Sequence, residues 1–218
     1  MEEAMPLFYL EKKMSKFWIT SYCLIRKGRV ITASKKLEFA TDGKFFKEIF
    51  KALNSSYAKF YKMDRLSKLA YLASEYLLEG DIHKKYEPEE VAMVFSNAFS
   101  SLDSDIKHQQ SIADRTRYFP EPATFVYTLP NIMLGEISIR HNLKGENMFF
   151  VSEKIDPAII IDYTSILMDS SRHKASIVGW VDYTNTELFA ALFFVEQETE
   201  SAGLTAFSTE NIQKIMEL

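Results

Sequence analysis

Residues 145–162, GENMFFVSEKIDPAIIID, contain the pattern with the clearest potential for chemistry. An apolar run, MFFV, stops at Ser152, and Asp156 followed by a proline then opens a second apolar stretch. This order predicts a buried strand, a tight connection and a helix with Asp156 as its N-cap. Enzymes often place a nucleophile at such a junction, because the positive end of a helix stabilises negative charge. Residues 152–155 are therefore the first candidate site.

Two side chains of this junction have a nucleophilic atom, those of Ser152 and Lys154. A lysine amine becomes a nucleophile when desolvation lowers its pKa, but a lysine between acids is more often solvated or paired, here with Glu153 or Asp156. A serine needs a base, and no histidine lies at a recognisable position for Ser152. The residues by themselves thus favour a connection without a catalytic nucleophile.

The other candidate residues are better explained by packing and capping than by chemistry. Cys23 lies in an apolar, strand-like run and is predicted to be a buried core thiol. Asp103, Asp105 and His108 have the side chains of a metal site, but the favoured interpretation is the first turn of an amphipathic helix. We therefore predict neither a metal nor a cofactor.

Composition excludes several classes of function. The 218 residues are 47% hydrophobic and 26% charged with a net charge of −4, and no basic block is present, so nucleic-acid binding is not expected. The single cysteine allows no internal disulfide, which fits a reducing, cytoplasmic setting. No apolar run approaches the roughly 18 residues that span a bilayer, and the acidic start is unlike a signal peptide.

The hydrophobic periodicity predicts strands that alternate with helices. Asp64 of MDRL is read as a helix cap and Asp182 of GWVD as a strand end, and residues 119–131, with three prolines, as a shaped loop. Strands are expected at 17–24, 30–35, 91–98, 148–151, 174–182 and 187–196. Helices are expected at 44–53, 65–79, 102–112, 132–141, from 157 onward and near the C-terminus, the last with Ser208 or Thr209 as its cap. The alternation predicts a layered α/β domain with a mostly parallel sheet.

Four segments together resemble β-ketoacyl synthases, the condensing enzymes of the thiolase superfamily. YKMDRLSKLAYLASEYLL is similar to the Met-Asp-Arg helix of the N-terminal half, and VAMVFSNAFSSLDSD to the strand and turn that follow it. PATFVYTLPNIMLGEISIRHNLKGEN is similar to the Pro-rich loop and helix before the catalytic strand, and ASIVGWVD to a Gly-Gly-Ala-Glu strand end. Short synthase-N-terminal-like proteins found beside aryl-polyene and flexirubin-type pigment pathways are the most similar subgroup.

The resemblance implies a fold and a division of the chain. It implies the N-terminal half of a ketosynthase, layered α/β/α, with a mostly parallel five-stranded sheet. A lead-in would occupy residues 1–16, the ketosynthase-like domain residues 17–196, and a tail with a short helix residues 197–218.

The chain departs from the family at the positions that carry catalysis. Counting forward from Lys144-Gly145 and backward from the GWVD segment both put the family's nucleophilic cysteine at Lys154. The family's catalytic histidines belong to a C-terminal half that this chain is expected to lack. None of the chain's own histidines matches their motifs; these are His83, His108, His141 and His173. The family activity, 3-oxoacyl-ACP synthase, is therefore not expected.

The favoured hypothesis is a non-catalytic synthase-like subunit that binds a true ketosynthase, a second copy of itself, or an acyl carrier protein. The alternative is an enzyme of altered chemistry that acts on an acyl thioester through Lys154 or Ser152. A third possibility is a carrier-protein or lipid-binding module that acts alone. The aromatic residues Phe119, Phe125 and Tyr127 could line an acyl tunnel or simply pack within the loop.

Overall fold

The structure is a computed structural model that describes residues 16–80, 82–114, 116, 120–197 and 205–218. The predicted lead-in, except for Lys16, lies outside these residues. The strands are β1 (Phe17–Arg26), β2 (Arg29–Thr32), β3 (Lys36–Glu38), β4 (Val91–Asn97), β5 (Asn147–Val151), β6 (Ala175–Tyr183), β7 (Leu188–Gln197) and β8 (Thr205–Ala206). The helices are α1 (Phe45–Ala52), α2 (Arg65–Leu77), α3 (Leu102–Ala113), α4 (Pro122–Val126), α5 (Ile132–His141), α6 (Pro157–Asp169) and α7 (Thr209–Met216).

The strands form one mixed sheet of eight strands in the order β3-β2-β1-β7-β6-β4-β5, with β8 paired to β1. The prediction of five strands is therefore corrected. A five-strand core, β5-β4-β6-β7-β1, is present, and β7 alone runs against the other four. The short β6–β7 connection forces antiparallel pairing, whereas β4, β5 and β6 are joined by helices and lie parallel.

Helices cover both faces of the sheet, because the central strands alternate large apolar side chains between two cores. On β4, Met93 and Phe95 face the core under α1, α2 and α5, while Ala92 and Val94 face the core under α6 and α7. This arrangement confirms the predicted α/β/α layering. No helix of the described residues is long and apolar enough to cross a bilayer.

The predicted helix caps are present in the structure. Asp64 Oδ1 accepts the backbone N–H of Ser67 (2.8 Å) at the start of α2, and Asp156 Oδ1 accepts that of Ala158 (3.0 Å) at the start of α6. Ser208 caps α7. In the C-terminal tail, Phe207 and Ile212 are buried in the second core, so α7 and α6 share one face of the sheet.

Strand β5 is not the buried strand that its apolar sequence predicts. It is the last strand of the sheet, paired with β4 among the described residues, and its side chains are half-buried or exposed. The side chain of Val151 is 59% exposed. The prediction was wrong because an apolar run indicates that a strand packs, but not whether a neighbour covers its open edge.

Candidate functional site

The junction between β5 and α6 has the strand–turn–helix geometry that the sequence predicts. The backbone N–H of Ser152 donates to Asn97 O (3.0 Å), which extends the pairing of β5 with β4 by one residue. The Ser152 hydroxyl donates to the carbonyl oxygen of Lys154 (2.9 Å) and closes the turn on itself. Asp156 then caps α6. The backbone is thus arranged as at a nucleophile position, with acids on both sides of it.

Lys154 lies at the surface of this turn. Its side chain is exposed, and among the described residues no carboxylate lies within 4.0 Å of its Nζ atom. The carboxylate of Asp156, one of the two predicted partners, accepts a backbone N–H instead. An amine nucleophile in a protein needs a desolvated or cation-rich pocket, and this position provides neither.

Ser152 also lacks the surroundings of a catalytic serine. Its hydroxyl hydrogen is directed at the turn itself, and no histidine ring of the described residues is hydrogen-bonded to it. His173 is buried at the amino end of β5, at the other end of the strand from Ser152, where its Nε2 accepts the backbone N–H of Glu146 (3.1 Å). The ring of His108 packs 5.3 Å from that of Phe125.

Asp103, Asp105 and His108, the residues considered as a metal site, each contact a different partner. Asp103 is buried and pairs with Lys107 (2.6 Å) and Arg65 (3.7 Å), so cations already satisfy its charge. Asp105 accepts hydrogen bonds from the Ser101 hydroxyl (3.2 Å). Asp103 and Asp105 thus lie in the first turn of α3, near its positive end, as the helix interpretation predicted.

Cys23, Asp64 and Asp182 are not part of the junction. Cys23 is fully buried on β1, and burial raises the pKa of its thiol well above the ordinary value. Asp64 accepts a hydrogen bond from Ser104 Oγ (2.8 Å), whereas Asp182 accepts the backbone N–H groups of Ala98 (3.3 Å) and Phe99 (3.4 Å). Burial raises the pKa of Asp182.

A surface that we call the edge patch lies beside the junction. Large apolar side chains on α3, α4, their connections and the end of β5 are 42 to 59% exposed; they are Phe99, Leu102, Ile106, Phe125, Val126, Leu129 and Val151. The elements touch one another, since α3 packs on α4 and Ser101 Oγ donates to Thr128 O (2.7 Å). Large exposed apolar patches are typical of interaction sites.

The edge patch includes one member of the aromatic set suggested for an acyl tunnel. Phe125 is 58% exposed, while the Tyr127 hydroxyl donates to the buried carboxylate of Glu136 (3.0 Å). Burial and this bond raise the pKa of Tyr127. Phe119 lies outside the described residues. Sequence analysis missed the patch, although Leu102 and Ile106, four residues apart in an otherwise polar helix, were a signal for it.

Neither a protein-family model nor a curated protein matches the chain. Several solved structures match the chain. The ishigamide ketosynthase/chain length factor superposes with a TM-score of 0.62 at 17% identity, over 86% of this chain and 63% of that one. A ketosynthase in complex with its chain length factor from Xenorhabdus doucetiae gives 0.54 at 14% identity, over 85% and 80%. A type II polyketide acyl-carrier protein in complex with its ketosynthase bound to the hexaketide gives 0.59 at 12%, over 85% and 63%.

These matches define the class of fold. The chain has the thiolase-like ketosynthase fold, as the resemblance implied, and it spans about 63% of the length of the first of these structures. At such identities the likeness concerns the fold, because superfolds carry many functions.

Proposed function

We propose that the chain is a non-catalytic ketosynthase-like subunit that supports acyl-chain condensation by binding a true ketosynthase. The acyl chain would be of the fatty-acid, polyketide or aryl-polyene type, and an acyl carrier protein would be a second partner. The fold supports this proposal, since two of the structures that share it contain a ketosynthase and a chain length factor. A cytoplasmic location is part of the proposal, because a reducing compartment keeps the single cysteine, Cys23, as a free thiol.

One observation carries the proposal: Lys154 occupies the turn where the resemblance places a cysteine. Claisen condensation needs a thiolate to hold the acyl chain. The turn keeps its strand, its cap and its helix, but it presents an exposed ammonium-bearing side chain. Cys23, the single cysteine, is fully buried on β1 and is not part of the junction.

The edge of β5 that has no strand partner among the described residues forms the proposed contact surface together with the edge patch. An uncovered edge strand offers backbone N–H and C=O groups to a strand of another chain, and neighbouring apolar side chains gain free energy when a partner covers them. The two features lie on the same side of the molecule. Val151, at the end of β5, pairs with Asn97 at the end of β4, and Phe99 of the edge patch comes two residues after Asn97 in the chain. A ketosynthase chain of the same fold is the partner proposed for this surface.

Co-expression with a full-length ketosynthase from the same organism tests the proposal. We expect a stable complex on size-exclusion chromatography, and condensation activity that depends on the cysteine of the partner and not on Lys154. A purified protein that stays monomeric and binds neither ketosynthase nor acyl carrier protein would refute the proposal. Self-association alone would point to a homodimer instead.

Titration with an acylated carrier protein separates the subunit from an independent binding module. Under the proposal, the carrier protein binds more tightly to the complex with ketosynthase than to the isolated chain. Equal affinity for both would favour a module that acts alone.

A further inference from the structure

A cleft of about 730 Å³ opens outside the carboxyl ends of β4 and β6. The chain leaves β4 toward β5 and leaves β6 toward β7, so the two connections diverge along the sheet. Open α/β sheets bind ligands in crevices at such points, and the volume is in the range of ligand sites. None of residues 152–155 lines the cleft.

Three lining residues form a row across neighbouring strands. Phe189 on β7 is paired in register with Arg26 on β1 and with Asp182 on β6. Residues that oppose each other in antiparallel strands share a face, so a guanidinium, a ring and a carboxyl group follow one another. With strands about 4.8 Å apart, the Cα atoms of Arg26 and Asp182 are on the order of 10 Å apart.

Both ends of the row are held in place by the backbone. The Arg26 guanidinium lies 5.1 Å from the centre of the Phe189 ring and donates through Nη2 to the carbonyl oxygen of Met216 at the end of α7. Its Nε atom is buried and has no hydrogen-bond partner in the described part of the chain. Asp182 is held by the N–H groups of Ala98 and Phe99. No ion pair joins Arg26 to Asp182 among the described residues, and a carboxylate that accepts two N–H groups still has lone pairs for a third molecule.

The rim of the cleft, like the row, is cationic on one side and anionic on the other. Lys27 lies beside Arg26, and Glu187 belongs to the hairpin that follows Asp182. Both rim side chains are exposed, and neither forms an ion pair with a described residue. Phe99 and Trp180 add apolar surface to the lining, on the Asp182 side of Phe189.

We propose that this cleft binds a small zwitterion with a flat apolar group, the chemistry of an aromatic amino acid. Its carboxylate lies at Arg26 and Lys27, its ammonium group at Asp182 and Glu187, and its ring on the aromatic wall. A ligand of one charge would meet an unfavourable pair on the opposite side, whereas a zwitterion satisfies both. This site goes beyond the proposed function, and it shares one residue, Phe99, with the edge patch.

Tryptophan fluorescence and calorimetry with L-phenylalanine test the proposal. The chain has two tryptophans, so the Trp18→Phe variant leaves Trp180 in the cleft as the only reporter. We expect a saturable change in emission and a matching heat of binding. 3-Phenylpropionate and 2-phenylethylamine each lack one charge and should bind about tenfold more weakly or worse, since a charged hydrogen bond contributes about 1.5–3 kcal/mol.

Surface variants keep the test independent of folding. Lys27→Ala and Glu187→Gln change exposed side chains, and each should weaken L-phenylalanine binding several-fold without altering thermal unfolding. Arg26→Met should abolish binding but also removes a contact to α7. Absence of saturable binding, or equal binding of the two singly charged analogues, would overturn the proposal, as would full affinity in both surface variants.

Discussion

Lys154 shows how one side chain separates the backbone of a site from its chemistry. A strand end, a turn and a capped helix surround it, at the position where the resemblance places a nucleophile. The helix N-terminus stabilises an anion such as a thiolate, but it does not favour a lysine cation. Geometry alone therefore does not make the junction catalytic.

Intact-mass spectrometry after incubation with an acylated carrier protein tests this residue. We expect no acyl adduct on the chain, because Lys154 is exposed and the Ser152 hydroxyl is bound to a carbonyl within the turn. Lys154→Ala should leave the activity of a ketosynthase complex unchanged. A covalent adduct that disappears in Lys154→Ala or Ser152→Ala would instead establish the enzyme of altered chemistry.

Glu75 carries a prediction about acid stability. Burial raises the pKa of this carboxyl group, but the His141 ring, whose Nε2 lies 3.2 Å from Oε1, and the hydrogen bonds from Arg140 outweigh burial and lower the pKa to about 2. Arg140 holds both carboxylate oxygens, at 2.7 and 2.9 Å. Because the pKa is lower in the folded than in the unfolded chain, the stabilisation is present above about pH 4.3 and is lost as pH falls toward 2.

Glu75→Gln should lower the free energy of unfolding at pH 7 by about 1–2 kcal/mol, allowing for solvent screening. Its unfolding should also depend less on pH than that of the unchanged protein between about pH 4.3 and 2, measured by urea titrations. Glu89→Gln is the matched control, since Glu89 is exposed and lies 3.8 Å from Lys144. An unchanged acid dependence in Glu75→Gln would show that another group is responsible.

At the scale of elements, the contact between β6 and β7 depends on Gly179. Its φ is +152°, and a Cβ atom built there would lie 1.9 Å from the carbonyl oxygen of Ala191 on β7. The clash is with backbone, so a side chain cannot be accommodated by a rotamer change. The glycine of the GWVD segment is thus required for the close approach of the two strands.

Gly179→Ala should cost more than about 3 kcal/mol or prevent folding, as measured by denaturant unfolding and yield. Gly135→Ala on α5 is the control, because a Cβ there has no neighbour within 4 Å. Alanine is the better helix former, so this variant should gain about 0.5–1 kcal/mol. Comparable stability of the two variants would contradict the role given to Gly179.

At the scale of the whole molecule, the position of β5 at the end of the sheet locates the contact surface that we propose for a partner. Val151→Lys places a charge on the free edge and should remove ketosynthase binding in a pull-down, because charged residues block strand pairing. Ile139→Lys changes a comparably exposed aliphatic residue on α5, outside the edge patch, 64% exposed against 59% for Val151. Binding that survives the first change, or is lost equally in both, would locate the partner elsewhere.

Local patterns accounted for most of the elements and for the candidate site. The caps at Asp64, Asp156 and Ser208 were readable because each bonds a backbone N–H two or three residues away. The short strands β3 and β8 could not be predicted, because they have few residues and form only by pairing with β2 and β1, respectively. The open edge of β5 was missed because burial depends on which neighbour is present.

By itself, the sequence determined the alternation of strands and helices, the capped β5–α6 junction and the position of Lys154 within that junction. These features depend on periodicity and on contacts between near neighbours in the chain. Only the tertiary structure decided the strand order, the edge patch, the pairing of Glu75 with Arg140 and the row of Arg26, Phe189 and Asp182. Those groups come from distant parts of the chain, and they meet because the sheet brings β1, β7 and β6 side by side.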